Sequence, residues 1–245
     1  MKQDNVQEFI ELYNVFDDLL RQKYNETNRT ISMISRYIRQ LENSSSTLAH
    51  KKARKINMIR VLRNNLVHEF DFNAEDLIDV SEETITFLKE EIEDLKNPIT
   101  AFTIATKTKD LLTVDLDENV RDVLLKMQEK GFTQAPLLSD TKKVEGVFSP
   151  NVLFSYLAKN NIHNGDKLYI KDFVDYLPIE KHISEQYAFI EKDALIEDVM
   201  ELFDEAHRKN KKLVAIFVTE YGKKEQTILG MIVPYDLLKT RKYNY

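Results

Sequence analysis

Apolar positions recur at helical spacing through the first part of the chain. Phe9, Ile10, Tyr13, Phe16, Leu19 and Leu20 form one run, and Ile31, Ile34, Tyr37, Ile38 and Leu41 a second. The polar stretch Asn43-Ser44-Ser45-Ser46-Thr47 interrupts the pattern as a loop, with Thr47 placed to cap the next helix. That third helix is expected from about residue 48 through 66. Ser81-Glu82-Glu83-Thr84 reads as another helix start with carboxylates in its first turn, and Ile85, Leu88, Ile92 and Leu95 supply its apolar face. Four helices with short connections predict a four-helix bundle.

The remainder alternates between short apolar runs and helical stretches. Strands are expected at 102–105, 111–116, 133–138, 144–148, 187–190, 213–219 and 228–233. Helices are expected at 118–130, where Gly131 suits the C-terminal end, from Pro150, at 195–208 and from Pro234. The order repeats. Val120-Arg121-Asp122-Val123 matches Ile196-Glu197-Asp198-Val199, 76 residues on, and Gly146-Val147-Phe148 matches Gly230-Met231-Ile232, 84 residues on. The eight extra residues fit a longer loop around Glu220-Tyr221-Gly222-Lys223-Lys224. Each copy reads strand, helix, strand, strand, helix, and each is too small for an independent core, so the two are expected to pack together.

Composition sharpens the division. All five glycines and all five prolines lie from Pro98 onward, so residues 1–97 lack the strongest helix breakers. The boundary falls at Asn97-Pro98. Expected domains are 1–97 and 98–245, the latter with a first copy at about 98–160, a connector at 161–182 and a second copy at about 183–241. The chain of 245 residues carries net charge -6 and no cysteine, which excludes disulfide scaffolds, thiolate metal sites and cysteine nucleophiles. The longest apolar run, 213–218, is far short of a membrane span, and Met1-Lys2-Gln3-Asp4-Asn5 turns polar at once. A cytoplasmic protein without membrane contact is expected. No metal site is expected, since His50, His68, His163, His182 and His207 are scattered, and no phosphate loop or nucleophile elbow is present.

Thr113-Val114-Asp115 with its following helix, Ala135-Pro136-Leu137, and Gly146-Val147-Phe148-Ser149 resemble a cystathionine-β-synthase (CBS) domain. Phe189-Ile190 through Gly230-Met231-Ile232-Val233-Pro234-Tyr235-Asp236 resembles a diverged sister, so residues 100–241 resemble a CBS pair, or Bateman module. The resemblance implies clefts between the copies that take an adenine nucleotide or nucleotide second messenger as regulatory ligand. In the family pattern a hydroxyl meets phosphate and an Asp three residues on meets ribose. Carried over, this assigns Ser149 and Asp236, with Gly146, Gly230 and Pro136 beside them. Both copies depart from the pattern: Val152 stands where the first Asp belongs, and Val233 where the second hydroxyl belongs. The alternative is that the copies are only a dimerisation scaffold.

Arg63-Asn64-Asn65-Leu66-Val67-His68 ends the third helical pattern. Lys51, Lys52, Arg54, Lys55, Arg60 and Arg63 make six basic residues in thirteen, with no acid between Glu42 and Glu69, a patch suited to phosphates and hence to RNA. Arg, then Asn, then three residues, then His resembles the HEPN domain over residues 5–97. The resemblance implies a metal-independent ribonuclease acting as a homodimer, without a catalytic cofactor. Arg63 would stabilise phosphoryl charge, His68 would move protons, and Asn64 would orient either. One motif supplies one histidine, and the family joins two motifs across a dimer. A spacing of five sets Arg63 and His68 about 140° apart on a helix. Phe70 stands where some family toxins carry a modifiable Tyr. The alternative is a non-enzymatic regulator whose helices dimerise or bind a partner.

The expected class is therefore α+β: an N-terminal all-α four-helix bundle, then a tandem CBS-domain pair of repeated strand-helix-strand-strand-helix units. The boundary near Pro98 is expected to place the helical domain directly on the first copy.

Overall fold

The computed structural model describes residues 2–28, 31–43, 47–68, 79–160 and 167–238. The chain forms two compact units, Met1–Pro98 and Ile99–Tyr245.

The first unit contains α1 (Lys2–Lys23), α2 (Ile34–Glu42), α3 (Thr47–His68) and α4 (Glu82–Lys96). Phe9, Phe16 and Leu20 of α1, Ile34 of α2, Ile56 of α3 and Leu88 of α4 are fully buried in one core. Each contributes about 1.5–3 kcal/mol through the area it removes from water. The i, i+3, i+4 spacing read from the sequence is the face that packs. α4 begins as expected, with Ser81 Oγ accepting from Thr84 N. Met33 offers α2 no side-chain cap; instead Asp17 Oδ1 of α1 accepts from the backbone N–H groups of Met33 (2.8 Å) and Ile34 (3.3 Å). A carboxylate seventeen residues away thus does the work that a local Ser or Asp would do.

The second unit holds two copies of one motif. Copy 1 has an extended stretch bridged at Val114 to Leu137, then α6 (Val120–Lys130), β2 (Ala135–Leu138), β3 (Val144–Phe148) and α7 (Pro150–Lys159). Copy 2 has β4 (Gln186–Glu191), α8 (Ile196–Arg208), β5 (Leu213–Thr219), β6 (Ile228–Ile232) and α9 (Pro234–Leu237). Strands β4 and β5 are parallel, and β5 and β6 antiparallel. β2 and β3 form an antiparallel pair. Val144 and Val147 of β3 meet Ala215, Phe217 and Met231 of β5 and β6, so a shared apolar layer joins the copies.

Three expectations are corrected. Residues 111–116 do not form a strand: Val114 alone bridges, in parallel, to Leu137. Residues 102–105 do not form a strand: Thr100 caps a helical turn, α5 (Ala101–Ile104), by accepting from Thr103 N. Only Thr106–Lys107 is extended, as β1, and it pairs with β6. Nor does the chain after Pro98 enter the first copy. Ala101 and Ala105 lie in the core of copy 2, with Ile196, Ile216 and Ile232. Ala101 N donates to Ala194 O, and Ile196 N donates to Ile99 O. Residues 168–177 repeat this arrangement on copy 1: Ile170 N donates to Glu118 O, Val120 N to Leu168 O, and Ile170, Phe173 and Leu177 enter that core. Each copy is completed by a lead-in segment that precedes the other.

Candidate functional site

The matched glycines are explained by this exchange. A Cβ on Gly146 would stand 2.7 Å from the backbone oxygen of Leu177, and one on Gly230 would stand 2.7 Å from that of Thr106. Both positions admit the backbone of a lead-in segment, which no side chain permits. Pro136 is buried on β2, and its carbonyl accepts from Val114 N at 3.0 Å.

Ser149 follows β3 and caps α7, its Oγ accepting from Val152 N at 3.3 Å. It is fully buried and donates to Glu185 Oε2 at 2.6 Å. Gln134 Nε2 donates to Glu185 Oε1 at 3.2 Å, and Tyr187 OH donates to Gln134 Oε1 at 2.6 Å. The His182 ring bridges Glu185 Oε2 and the carbonyl of Leu177, at 3.2 Å each. Burial pushes the Glu185 carboxyl up, but hydrogen bonds from His182, Ser149, Gln134 and Asn151 outweigh it and hold it down to about 2. Burial pushes the Tyr187 hydroxyl up, reinforced by the Glu185 charge, so it stays a donor. One side of this network opens on a cleft of about 290 Å³, lined by Asn151, Val152, Ser155 and Lys159 of α7 together with Tyr176 and Glu185.

In copy 2 the corresponding position is Val233, and its N–H donates to Asp236 Oδ2 at 2.9 Å. Asp236 is buried with its carboxylate at the start of its own helix, and the copy carries no hydroxyl there. Ser149 and Asp236 thus belong to separate half-patterns. The sequence reading missed Glu185, His182, Gln134 and Tyr187. Their partners lie up to 53 residues away, and no local spacing announces them.

In the helical unit, Arg60, Arg63 and Asn64 of α3 line a cleft of about 440 Å³ with Tyr13 and Asp17 of α1 and Ser35 of α2. The Arg63 guanidinium lies 5.5 Å from the centre of the Tyr13 ring, and its buried Nε meets no hydrogen-bond partner among the described residues. Arg60 is held by Asn57 Oδ1 at 2.9 Å. Burial raises the Tyr13 hydroxyl's pKa, opposed by its hydrogen bond to Ser32 and by the Arg63 charge. Asp17 is already engaged by Arg21 and the start of α2. Of the other basic residues, Lys51, Arg54 and Lys55 face solvent, with Lys55 lying over the Phe87 ring. Lys52 instead turns inward, 3.0 Å from Glu91 and 3.9 Å from Asp94. Its charge is neutralised inside the unit. α3 runs unbroken to His68, whose side chain lies outside the described residues, as does Phe70. Among the described residues no cluster has the composition of a metal site, and no helix is long and apolar enough to cross a membrane.

Comparison with known proteins bears on the second unit. No curated protein matches the chain. Among solved structures, a hemolysin-like protein containing a CBS domain from Oenococcus oeni PSU is similar, with 22% identity and a TM-score of 0.39 over 58% of this chain and 90% of that one. CBSX2 in complex with AMP has 17% identity and a TM-score of 0.41 over 58% and 94%. A CBS domain-containing protein from Bacillus anthracis has 11% identity and a TM-score of 0.38 over 60% and 95%. The family model for the CBS domain matches residues 104–159, which span α6, β2, β3 and α7, and these residues of the chain are a CBS domain.

Proposed function

We propose that this chain is an adenine-nucleotide-sensing regulatory protein in which a CBS pair, residues 98–245, controls a HEPN-like four-helix domain, residues 1–97. The carrying observation is the CBS match on 104–159 together with a second copy that shares its element order and its pinched glycine. The ligand is an adenine nucleotide or nucleotide second messenger. Coupling requires that it bind two arrangements of the protein with different affinity. The route is short along the chain, because residues 99–105 run from the helical unit straight into the core of copy 2.

The effector reading rests on the α3 cleft. Arg63 and Arg60 offer planar donors to a phosphodiester, Asn64 orients it, and Lys51, Arg54 and Lys55 extend the basic face for RNA. Cleavage without metal would use His68 for proton transfer while Arg63 stabilises the developing phosphoryl charge. A homodimer would bring a second His68 to supply both acid and base. A non-enzymatic reading is favoured by the unbroken α3, which sets Arg63 and His68 about 140° apart. In that case the helices dimerise or bind a partner and cleave nothing.

The experiment is incubation of the purified protein with total RNA in chelator, with and without adenine nucleotides, beside His68→Ala. Cleavage that survives chelation, responds to nucleotide and vanishes in the variant supports the enzyme. A folded protein that binds nucleotide and leaves RNA intact moves the assignment to the non-enzymatic regulator.

A further inference from the structure

We infer that Glu185 is a built-in anion at the N-terminus of α7, and that it withholds Ser149 from the phosphate of any ligand in the copy 1 cleft. Helix α7 is ten residues long, and its dipole favours a negative charge near Ser149. That charge is already present. The Glu185 carboxylate takes the Ser149 proton at 2.6 Å and accepts from Gln134 at 3.2 Å. It faces His182 at 3.2 Å and is also hydrogen-bonded by the Asn151 side chain. These donors occupy both oxygens of the carboxylate. Its side chain is 3% exposed.

A ligand phosphate reaching for Ser149 meets two obstacles. The hydroxyl has only one proton, and Glu185 holds it. A second anion would also sit about 4 Å from the first, which at an effective dielectric constant of about 20 costs roughly a thousandfold in binding constant. Glu185 therefore determines where a phosphate can sit: it bars the Ser149 end, and a phosphate entering the cleft is left to Lys159 and Lys181 on its walls. The identity of such a ligand rests on the nucleotide reading proposed for the chain; the exclusion of anions from Ser149 does not.

Removing the carboxylate converts an occupied site into a vacant one. In Glu185→Ala, Ser149, Gln134, Asn151 and His182 would surround an empty anion hole. The test uses the full chain and three probes: AMP, inorganic phosphate and acetate. Titration calorimetry measures binding, and thermal unfolding measures stability. In the parent, Ser149→Ala leaves AMP and phosphate affinity within twofold, because neither touches Ser149. Glu185→Ala gains at least tenfold in phosphate affinity, and acetate raises its midpoint but not the parent's, by replacing the lost carboxylate. Both gains disappear in Glu185→Ala/Ser149→Ala. A tenfold loss of AMP or phosphate affinity from Ser149→Ala alone overturns the proposal, and that arm decides if Glu185→Ala does not fold. A folded Glu185→Ala with no gain for phosphate or acetate overturns it too. A parent that binds no AMP at all removes the nucleotide reading, while the phosphate and acetate arms still judge Glu185.

Discussion

The two copies agree in scaffold and part company in chemistry. Both start their first helix under a clamp from a lead-in segment, and both pinch a glycine against that segment's backbone. The clamps are filled differently. Copy 1 uses Phe173, packed between Phe148 and Tyr156, whereas copy 2 uses Ala101 and Ala105. At the end of the motif, copy 1 has a hydroxyl tied to a carboxylate 36 residues away, and copy 2 has a valine served by a carboxylate three residues away. Backbone contacts leave no choice of residue, so they repeat. Side-chain contacts can be satisfied in several ways, so they diverge.

The largest expected effect tests the unequal clamps. Phe173→Ala removes a fully buried ring and should cost about 3–5 kcal/mol in denaturant unfolding. On copy 2 the sensitive direction is the reverse: Ala101→Leu should cost about 1–3 kcal/mol by overpacking. Equal and small losses for both would mean that the lead-in segments are not part of the cores.

The glycines should respond alike where the clamps do not. Gly146→Ala and Gly230→Ala each drive a Cβ to 2.7 Å from a backbone oxygen, and each should lose about 1–3 kcal/mol. A neutral result at either one, read from thermal midpoints, would separate the copies and break the pseudo-symmetry.

Acid should distinguish the two helix starts. The Glu185 carboxyl is held at about 2, below its ordinary 4.5, so the folded state binds its proton less readily than the unfolded chain does. Its contribution is present above about 4.5 and is lost as pH falls through about 2. Glu185→Gln should be less stable at neutral pH, and the gap to the parent should narrow across that window. A gap that stays constant down to pH 2 would show that the charge of Glu185 does not stabilise the fold.

The smallest effects lie at the first helices. Asn119 caps α6 through Arg121 N at 3.0 Å, while at α8 the Leu195 N–H is served by Asp198 Oδ2 at 3.0 Å. Asn119→Ala and Asp198→Ala should each cost about 1 kcal/mol. Chemical denaturation of the pair of variants would show whether the two solutions are equivalent.

Much of the fold was legible. Val144–Phe148 and Leu213–Thr219 are strands with the bounds that their apolar runs predict, and Gly131 closes α6 at φ +66°. The misreading of residues 102–105 has a definite cause. Phe-Thr-Ile-Ala has strand-like composition, but Thr100 caps a turn there, and Ala194 and Lys192 take the first backbone N–H groups. Of the candidate site, Ser149, Arg63 and Asn64 were legible as candidates because they sit in local motifs. Glu185 and His182 were not: they stand three residues apart, but Ser149 and Gln134, which fix Glu185, lie 36 and 51 residues away.

By itself the sequence determined what depends on near neighbours: helical and alternating periods, the repeat, the boundary at Pro98 and the basic character of α3. The tertiary structure alone decided which copy each lead-in segment completes, that Lys52 faces Glu91 rather than solvent, and that Ser149 gives its proton to Glu185. Those outcomes depend on groups far apart in the chain competing for the same partner, and only the folded geometry says which of them arrives.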